Sequence, residues 1–362
     1  MKKTSSNLIA LTLVLLVFGT CSKEPEPQGP PPLPPERYVT RQLPAMGTIF
    51  QVLAYVRTQE QERALDDALL FIADLESRWS PWQESSELNK INKEAGLKPV
   101  KVLSDTLALL QRSVAMCFTT DKAFDPTFFA LSPLYDFRKD PFEPPSEDAI
   151  AEKLKLVGCD GIEIDATAST VRLSRAGMRI HLGGNAKGTA LDRAAKILKE
   201  AGIERFVVDG GGDIVAQGLG PKGPWRVGVQ HPRAPRGTLM GLIESTGGAV
   251  ATSGDYERFA LSDGVRYHHI VDTRTGKPST GCMSATVTVP ASPVAGELAD
   301  SLATALCVLG PEKGLDLIAK HPGVQAAVLS TDGVLHKSKD FKHDLHFAKP
   351  AEPSPNQAEP SE

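Results

Sequence analysis

His181-Leu182-Gly183-Gly184-Asn185-Ala186-Lys187-Gly188-Thr189 leads from an extended segment into a helix read over 186–201. The strand-like Arg205-Phe206-Val207-Val208-Asp209 follows, and the turn Gly210-Gly211-Gly212-Asp213 closes it. Before this stretch, 161–164, 170–173 and 179–182 read as strands of a meander. After it, 225–289 holds several short strands punctuated by glycine and proline. A helix over 295–307, a break at Gly310-Pro311, a second helix to about residue 321 and a strand over 324–329 complete the body. On the N-terminal side Leu65, Leu69, Ile72 and Leu75 recur at helical spacing within 63–78, and 103–117 behaves likewise. Strand clusters interrupted by helix pairs predict an α+β fold, with mixed sheets and helices in one catalytic unit, not regular βαβ winding.

The 362 residues carry 40 Lys+Arg against 44 Asp+Glu, a net charge of −4, with 41% hydrophobic and 23% charged side chains. Such a chain buries a core, and its near-neutral balance gives no electrostatic footprint for nucleic acid, so none is expected as a partner. Five cysteines without close pairing make neither a disulfide scaffold nor a zinc ribbon. Their spacing is silent on whether Cys117, Cys159, Cys282 and Cys307 pair.

Many of the 28 prolines sit in the two ends. Lys2 and Lys3 precede an apolar run over 8–18 that is too short to span a bilayer, as in a secretory signal. The run ends in Phe18-Gly19-Thr20-Cys21, which resembles a bacterial lipobox and implies a lipid on Cys21. The expected organisation is a lipoprotein signal over 1–20, a proline-rich linker over 21–38, a body over 39–347 and a disordered tail over 348–362. That places the body outside the cytoplasm, tethered to a bacterial membrane and facing the periplasm.

Asp300 and Thr304 stand four apart, so on a helix a carboxylate and a hydroxyl project from one face. Two hard oxygen donors suit Mg²⁺, which completes its shell with water or phosphate; an aspartate near a helix start also serves as a plain cap. Gly183, Gly184 and Lys187 around a helix start let a phosphate approach backbone N–H groups, or simply make a tight turn. The order is not that of a Walker A loop. The match from Gly218 to Gly223 contains Pro221 and leads into a strand, so it is no dinucleotide fingerprint either. His268 and His269 are neighbours in a strand-like run, so only one of them is expected to face a site.

Together these pieces resemble the ApbE family of FAD:protein FMN transferases. In order they are Met46-Gly47-Thr48, Trp82 to Asn89, Phe124-Asp125-Pro126-Thr127, Ser132 to Phe137 and Gly184 to Gly188 with Asp192. The turn Gly211-Gly212-Asp213, Thr252 to Tyr256, His269 to Gly276 and Asp300 to Thr304 complete the series. The resemblance implies an ApbE-like, T-fold-like architecture with FAD in a cleft. It implies Mg²⁺-dependent transfer of FMN from FAD to a threonine hydroxyl of an acceptor protein, with release of AMP. The acceptor is an extracytoplasmic subunit of a membrane redox complex, bearing a Ser/Thr-rich motif. Asp300 and Thr304 ligate the metal through side chains, and Ala186 and Ala303 through carbonyls. Met46, Trp82, Tyr135, Asp136, Phe137, Gly183, Lys187, Thr189 and Val271 hold FAD. His269 is the first candidate to activate the hydroxyl, and Asp255 the second. At Trp82 the family usually has tyrosine, and at His181 often aspartate. Two alternatives keep the same site: water as acceptor, giving an FAD pyrophosphatase, or a flavin-binding lipoprotein without turnover.

Overall fold

In the computed structural model, which describes residues 34–348, Arg37–Ala45 and Thr48–Val56 form an antiparallel hairpin. Its two-residue turn places Met46 at φ 50° and Gly47 at φ 75°, the doubly left-handed turn that matches strand twist. A left-handed methionine is uncommon. Its N–H is held by Glu76 Oε1 at 2.8 Å, which fixes the turn.

From this hairpin an eight-stranded antiparallel sheet grows in chain order. Its further strands are Phe206–Gly210, Asp213–Gln217, Gly247–Gly254, Ser284–Val289, Gln325–Leu329 and Leu335–Lys337. Gly210-Gly211-Gly212-Asp213 is the hairpin turn between the first two of these, with Gly211 and Gly212 at φ 75° and 98°. Side chains alternate across the sheet with period two. Ala326 and Val328 join the main core, while Ala327 and Leu329 face the other way. There a small sheet of Trp225–Gln230, Leu239–Ser245 and Asp344–Leu345 covers them with Val227, Val229 and Ile243.

Six α-helices are present among the described residues: α1 (Gln59–Trp79), α2 (Glu87–Lys93), α3 (Ser104–Thr119), α4 (Glu147–Leu154), α5 (Ala186–Glu200) and α6 (Ala295–Ile318). Thr58 caps α1 by accepting from the Gln61 N–H, and Leu65, Leu69, Ile72 and Leu75 are buried as their spacing predicts. α5 packs between α1 and α6, and all three lie on the same face of the sheet. The break expected at Gly310-Pro311 is present: within α6, Gly310 takes a non-helical φ of 75° and ψ of −177° that divides it into two helical stretches.

Three expectations need correction or completion. Residues 179–182 form no strand. The segment is held instead by the Asn92 side chain, accepting from Ile180 N at 2.7 Å and donating to Ile180 O at 3.0 Å, and by Pro126 O, which accepts from His181 N at 2.9 Å. The linker read to residue 38 ends sooner, because the first strand begins at Arg37. Cys117 and Cys159 are disulfide-bonded, with S–S 2.04 Å, while Cys282 and Cys307 are free. The leader over 1–20, Cys21 and almost all of the tail over 348–362 lie outside the described residues. No helix among the described residues is long and apolar enough to cross a membrane.

Candidate active site

α5 and α6 cross at two glycines: a Cβ on Gly188 would lie 2.2 Å from Gly296 O. This contact brings the Gly188 N–H to Asp300 Oδ2 at 3.0 Å. Asp192, one turn further along α5, accepts from Gly296 N at 2.8 Å and Glu297 N at 2.9 Å, capping the start of α6. Burial pushes the Asp192 carboxyl up to about 7 against those two hydrogen bonds. Glu297 in turn binds Arg112 and accepts from the Thr189 hydroxyl at 3.0 Å.

Lys187 points from the first turn of α5 to Asp213, with Asp300 Oδ1 at 3.6 Å. Asp213 also accepts from Thr252 N at 3.1 Å. Burial acts to lower the Lys187 ammonium, but Asp213 and Asp300 overcome it and hold it above its ordinary value. Burial pushes the Asp300 carboxyl up, and Lys187 opposes this. One ammonium against two buried carboxylates leaves a negative surplus, which a small cation would relieve. Thr304 stands one turn beyond Asp300, its Oγ1 3.4 Å from Ser253 Oγ, a weak contact that leaves the hydroxyl free for a stronger one. Gly184 lies opposite, where a Cβ would come 3.5 Å from Thr304 Oγ1 and 2.8 Å from the Phe124 ring. Ala186 opens α5 beside this turn, and Ala303 precedes Thr304 in the buried face of α6. The donor set fits Mg²⁺. A second cluster, Cys117, Asp125 and Cys159, does not: its cysteines are bonded, and Asp125 accepts from Thr127 and from Cys159 N.

The two histidines differ in their contacts, although the Nδ1 atom of each is buried without a hydrogen-bond partner. His268 ends the strand Val265–His268 and turns inward, Nε2 to Ser279 O at 2.8 Å. His269 lies just past that strand, its N–H donating to Arg258 O at 3.1 Å. Its ring Nδ1 is buried without a hydrogen-bond partner. Burial, then the charges of His268 and Arg258, bring the His269 ring down to about 4, so it is neutral at working pH. Asp255 is differently placed: both of its oxygens are taken by Arg233, at 2.7 and 2.6 Å.

Trp82 is 71% exposed, resting edge-on against Phe129 with centroids 5.4 Å apart. Phe129 also carries Arg179 over its ring at 4.2 Å and His181 at 5.0 Å. Gly183 donates to His181 Nδ1 at 2.8 Å, and a Cβ there would strike that ring at 2.4 Å. Arg258 reaches the Met46-Gly47 turn, within 3.3 Å of where a Gly47 Cβ would be. A shallow groove lined by Ala45, Gly47, Thr48 and Glu76 runs beside this turn. Tyr135 and Val271 are buried in a satellite core with Phe142 and half-buried Phe137. The Tyr135 hydroxyl donates to Gly276 O at 2.7 Å, and burial raises it to about 12. Asp136 pairs with Arg138.

Lys187, Asp300 and Thr304 thus meet around the α5–α6 crossing. Trp82 and Gly183 meet around Phe129 and His181. Tyr135, Phe137 and Val271 share a core, and Thr189 is spent between helices. Sequence reasoning missed Arg258 and Glu297, which carry no spacing signal, and quoted Ser253 within a motif without giving it a role. It also left Asp213 as part of a glycine turn, not as the partner of Lys187.

The sequence pattern of the ApbE family matches residues 46–329. The FAD:protein FMN transferase of Treponema pallidum is 33% identical over 304 residues, covering 79% of this chain and 83% of its own. The crystal structure of the ApbE protein from Thermotoga maritima superposes with a TM-score of 0.76 at 32% identity, covering 84% of this chain and 97% of that one. The flavin transferase ApbE from Vibrio cholerae gives 0.74 at 28% identity, over 85% and 99%.

Proposed function

This chain belongs to the ApbE family, and we propose that it is an FAD:protein FMN transferase that moves FMN from FAD to a threonine hydroxyl of an acceptor protein and releases AMP. The reading is carried by one observation. The buried Lys187–Asp213–Asp300 cluster, with its surplus negative charge and Thr304 beside it, sits at the glycine-lined start of α5. Breaking a pyrophosphate P–O bond with an oxygen nucleophile requires positioning and charge neutralisation more than covalent help from the protein. Asp300 and Thr304 would hold Mg²⁺ through side chains, with the Ala186 and Ala303 carbonyls as further ligands. When bound, the ion supplies Lewis-acid neutralisation of the phosphate oxygens.

The chain's own groups do the rest. Lys187 pairs with Asp213, opposes the upward push of burial on Asp300, and adds positive charge near the phosphates. The α5 N-terminus directs backbone N–H groups toward an anion. Trp82 offers an exposed ring for the flavin, and the Met46-Gly47 turn forms an edge of the pocket. His269 takes the threonine proton at a ring nitrogen as the hydroxyl oxygen bonds to phosphorus and the bond to AMP breaks. Its pKa of about 4 makes it a weak base in the free protein, and the negative charge of a bound pyrophosphate raises it. Asp255 is engaged through both oxygens by Arg233, so it is not the free base of the step.

The leader ending at Cys21 supports a lipid-anchored, extracytoplasmic enzyme that works on subunits of a membrane redox complex. The Cys117–Cys159 disulfide suits an oxidising compartment. The test incubates the protein with FAD and Mg²⁺, with and without a threonine-bearing acceptor domain. Flavin fluorescence on the acceptor in a denaturing gel, AMP in equal amount, and loss of both with EDTA are expected. AMP release at the same rate without acceptor would make the enzyme a pyrophosphatase instead.

A further inference from the structure

Cys282 and Cys307 are each 1% exposed, and their sulfurs lie 3.3 Å apart. The Cys282 thiol points at Cys307 Sγ, and the Cys307 thiol points at Ser253 O, also at 3.3 Å. Ser253 Oγ contacts Thr304 Oγ1 at 3.4 Å, and Cys307 follows Thr304 by three residues on α6. A continuous path therefore runs from the cysteine pair to the Thr304 hydroxyl that would hold Mg²⁺. Cys282 lies in the irregular segment between Lys277–Pro278 and Ser284–Val289, so it is free of ladder hydrogen bonds. That segment is docked tightly on α6: a Cβ on Gly281 would fall 2.5 Å from Cys307 O and 2.8 Å from Gly310 N.

We propose that Cys282 and Cys307 are a second, reversible disulfide site whose closure weakens Mg²⁺ binding at Asp300 and Thr304; the coupling half of this rests on the metal reading above. Bond formation needs the sulfurs to approach from 3.3 Å to the ~2.05 Å of a disulfide. Two S–H bonds break and one S–S bond forms. Two electrons and two protons pass to a small disulfide oxidant, which leaves as two thiols. Cys307 then has no proton to donate to Ser253 O, and its sulfur is drawn toward Cys282. The Ser253–Thr304 contact shifts, and the threonine hydroxyl leaves its place one turn above Asp300. Burial and the Cys282 contact both keep the Cys307 thiol protonated, so exchange is slow and requires the Gly281–Met283 segment to lift.

The experiment treats the intact, folded protein with oxidised glutathione and follows it by mass and peptide mapping. Expected are a fall of about 2 Da and a Cys282–Cys307 linked peptide, both reversed by mild reductant. The Mg²⁺-dependent rise in melting temperature should then need on the order of fivefold more Mg²⁺ in the oxidised form. Cys282→Ser should form no such peptide and show one Mg²⁺ titration with or without oxidant. Two free thiols after prolonged oxidation, or glutathione adducts in place of the link, overturn the site. A linked protein whose Mg²⁺ titration is unchanged overturns the coupling. Reduced protein that Mg²⁺ does not stabilise sinks the metal reading and the coupling with it, while the linked peptide still decides the disulfide by itself. If Cys282→Ser does not fold, the wild-type mass and titration data give the same decisions.

Discussion

Around Lys187 the protein answers part of its own charge, one ammonium against two carboxylates, whereas around His269 and Trp82 it leaves groups open. Asp213 has an ammonium and a backbone N–H, and Asp300 has the Gly188 N–H and the same ammonium within reach. The His269 Nδ1 atom has no partner, and the Trp82 ring faces solvent. The difference follows from what each region must survive without substrate. Buried carboxylates left unpaired would cost several kcal/mol, so the fold supplies a lysine before any cation arrives. A neutral imidazole and an indole ring cost far less to leave waiting. The first region is built for holding charge and the second for meeting a ligand.

That contrast breaks most sharply at Asp300. Asp300→Asn keeps the shape and the Gly188 contact but removes the negative charge that a divalent ion needs. FMN transfer at saturating Mg²⁺ should fall about 10³-fold, measured as flavin fluorescence on the acceptor. Circular dichroism should show the fold intact. Near-normal transfer in this variant would mean that the cluster is structural only.

The open side is tested next by His269→Ala. FAD binding should persist, because the side chain fills no stacking position, while transfer falls about 10²-fold. The wild-type pH profile adds a sign. Burial holds His269 at about 4 in the folded protein, below its ordinary 6.5. The free enzyme therefore keeps the ring neutral above about pH 5 and loses the base as pH drops through about 4. Stability follows the same direction. The unfolded chain takes up the proton first, so the contribution of the neutral ring is full above about 6.5 and erodes toward pH 4. A kcat/KM inflection near 6.5 that vanishes in His269→Ala would show an imidazole exposed to water, contrary to the buried ring.

How much of this was legible in the sequence depends on whether a signal is local. Helix α1 announces itself through four leucine and isoleucine positions, and α5 through the glycines at its start. The kink at Gly310-Pro311 is equally local, since glycine alone tolerates its φ of 75°. Residues 179–182 look like a strand by their alternating apolar positions. What pairs with them is the side chain of Asn92, 88 residues from Ile180, and the carbonyl of Pro126, which no pattern in the segment reveals. The disulfide spans 42 residues and the Lys187–Asp213 pair 26. The motif order named the candidate residues, but which of their atoms are already spent depends on contacts made by folding. Asp255 shows this best: as a sequence position it is a free base, and in the fold Arg233 occupies both oxygens.

Trp82 gives the mildest test and the one that most sharpens the contrast. At 71% exposure it contributes little to folding, so Trp82→Ala should change stability by less than about 0.5 kcal/mol. If its ring is a platform for the flavin, the variant loses one aromatic contact, on the order of 1 kcal/mol. KM for FAD should then rise roughly fivefold with kcat nearly unchanged, and Trp82→Tyr should recover most of it. The opposite pattern, a lower melting temperature with unaltered KM, would make Trp82 a cover for Phe129 and Arg179. The region would then be closed by its own packing, like the Lys187 cluster, and the flavin would have to stack elsewhere.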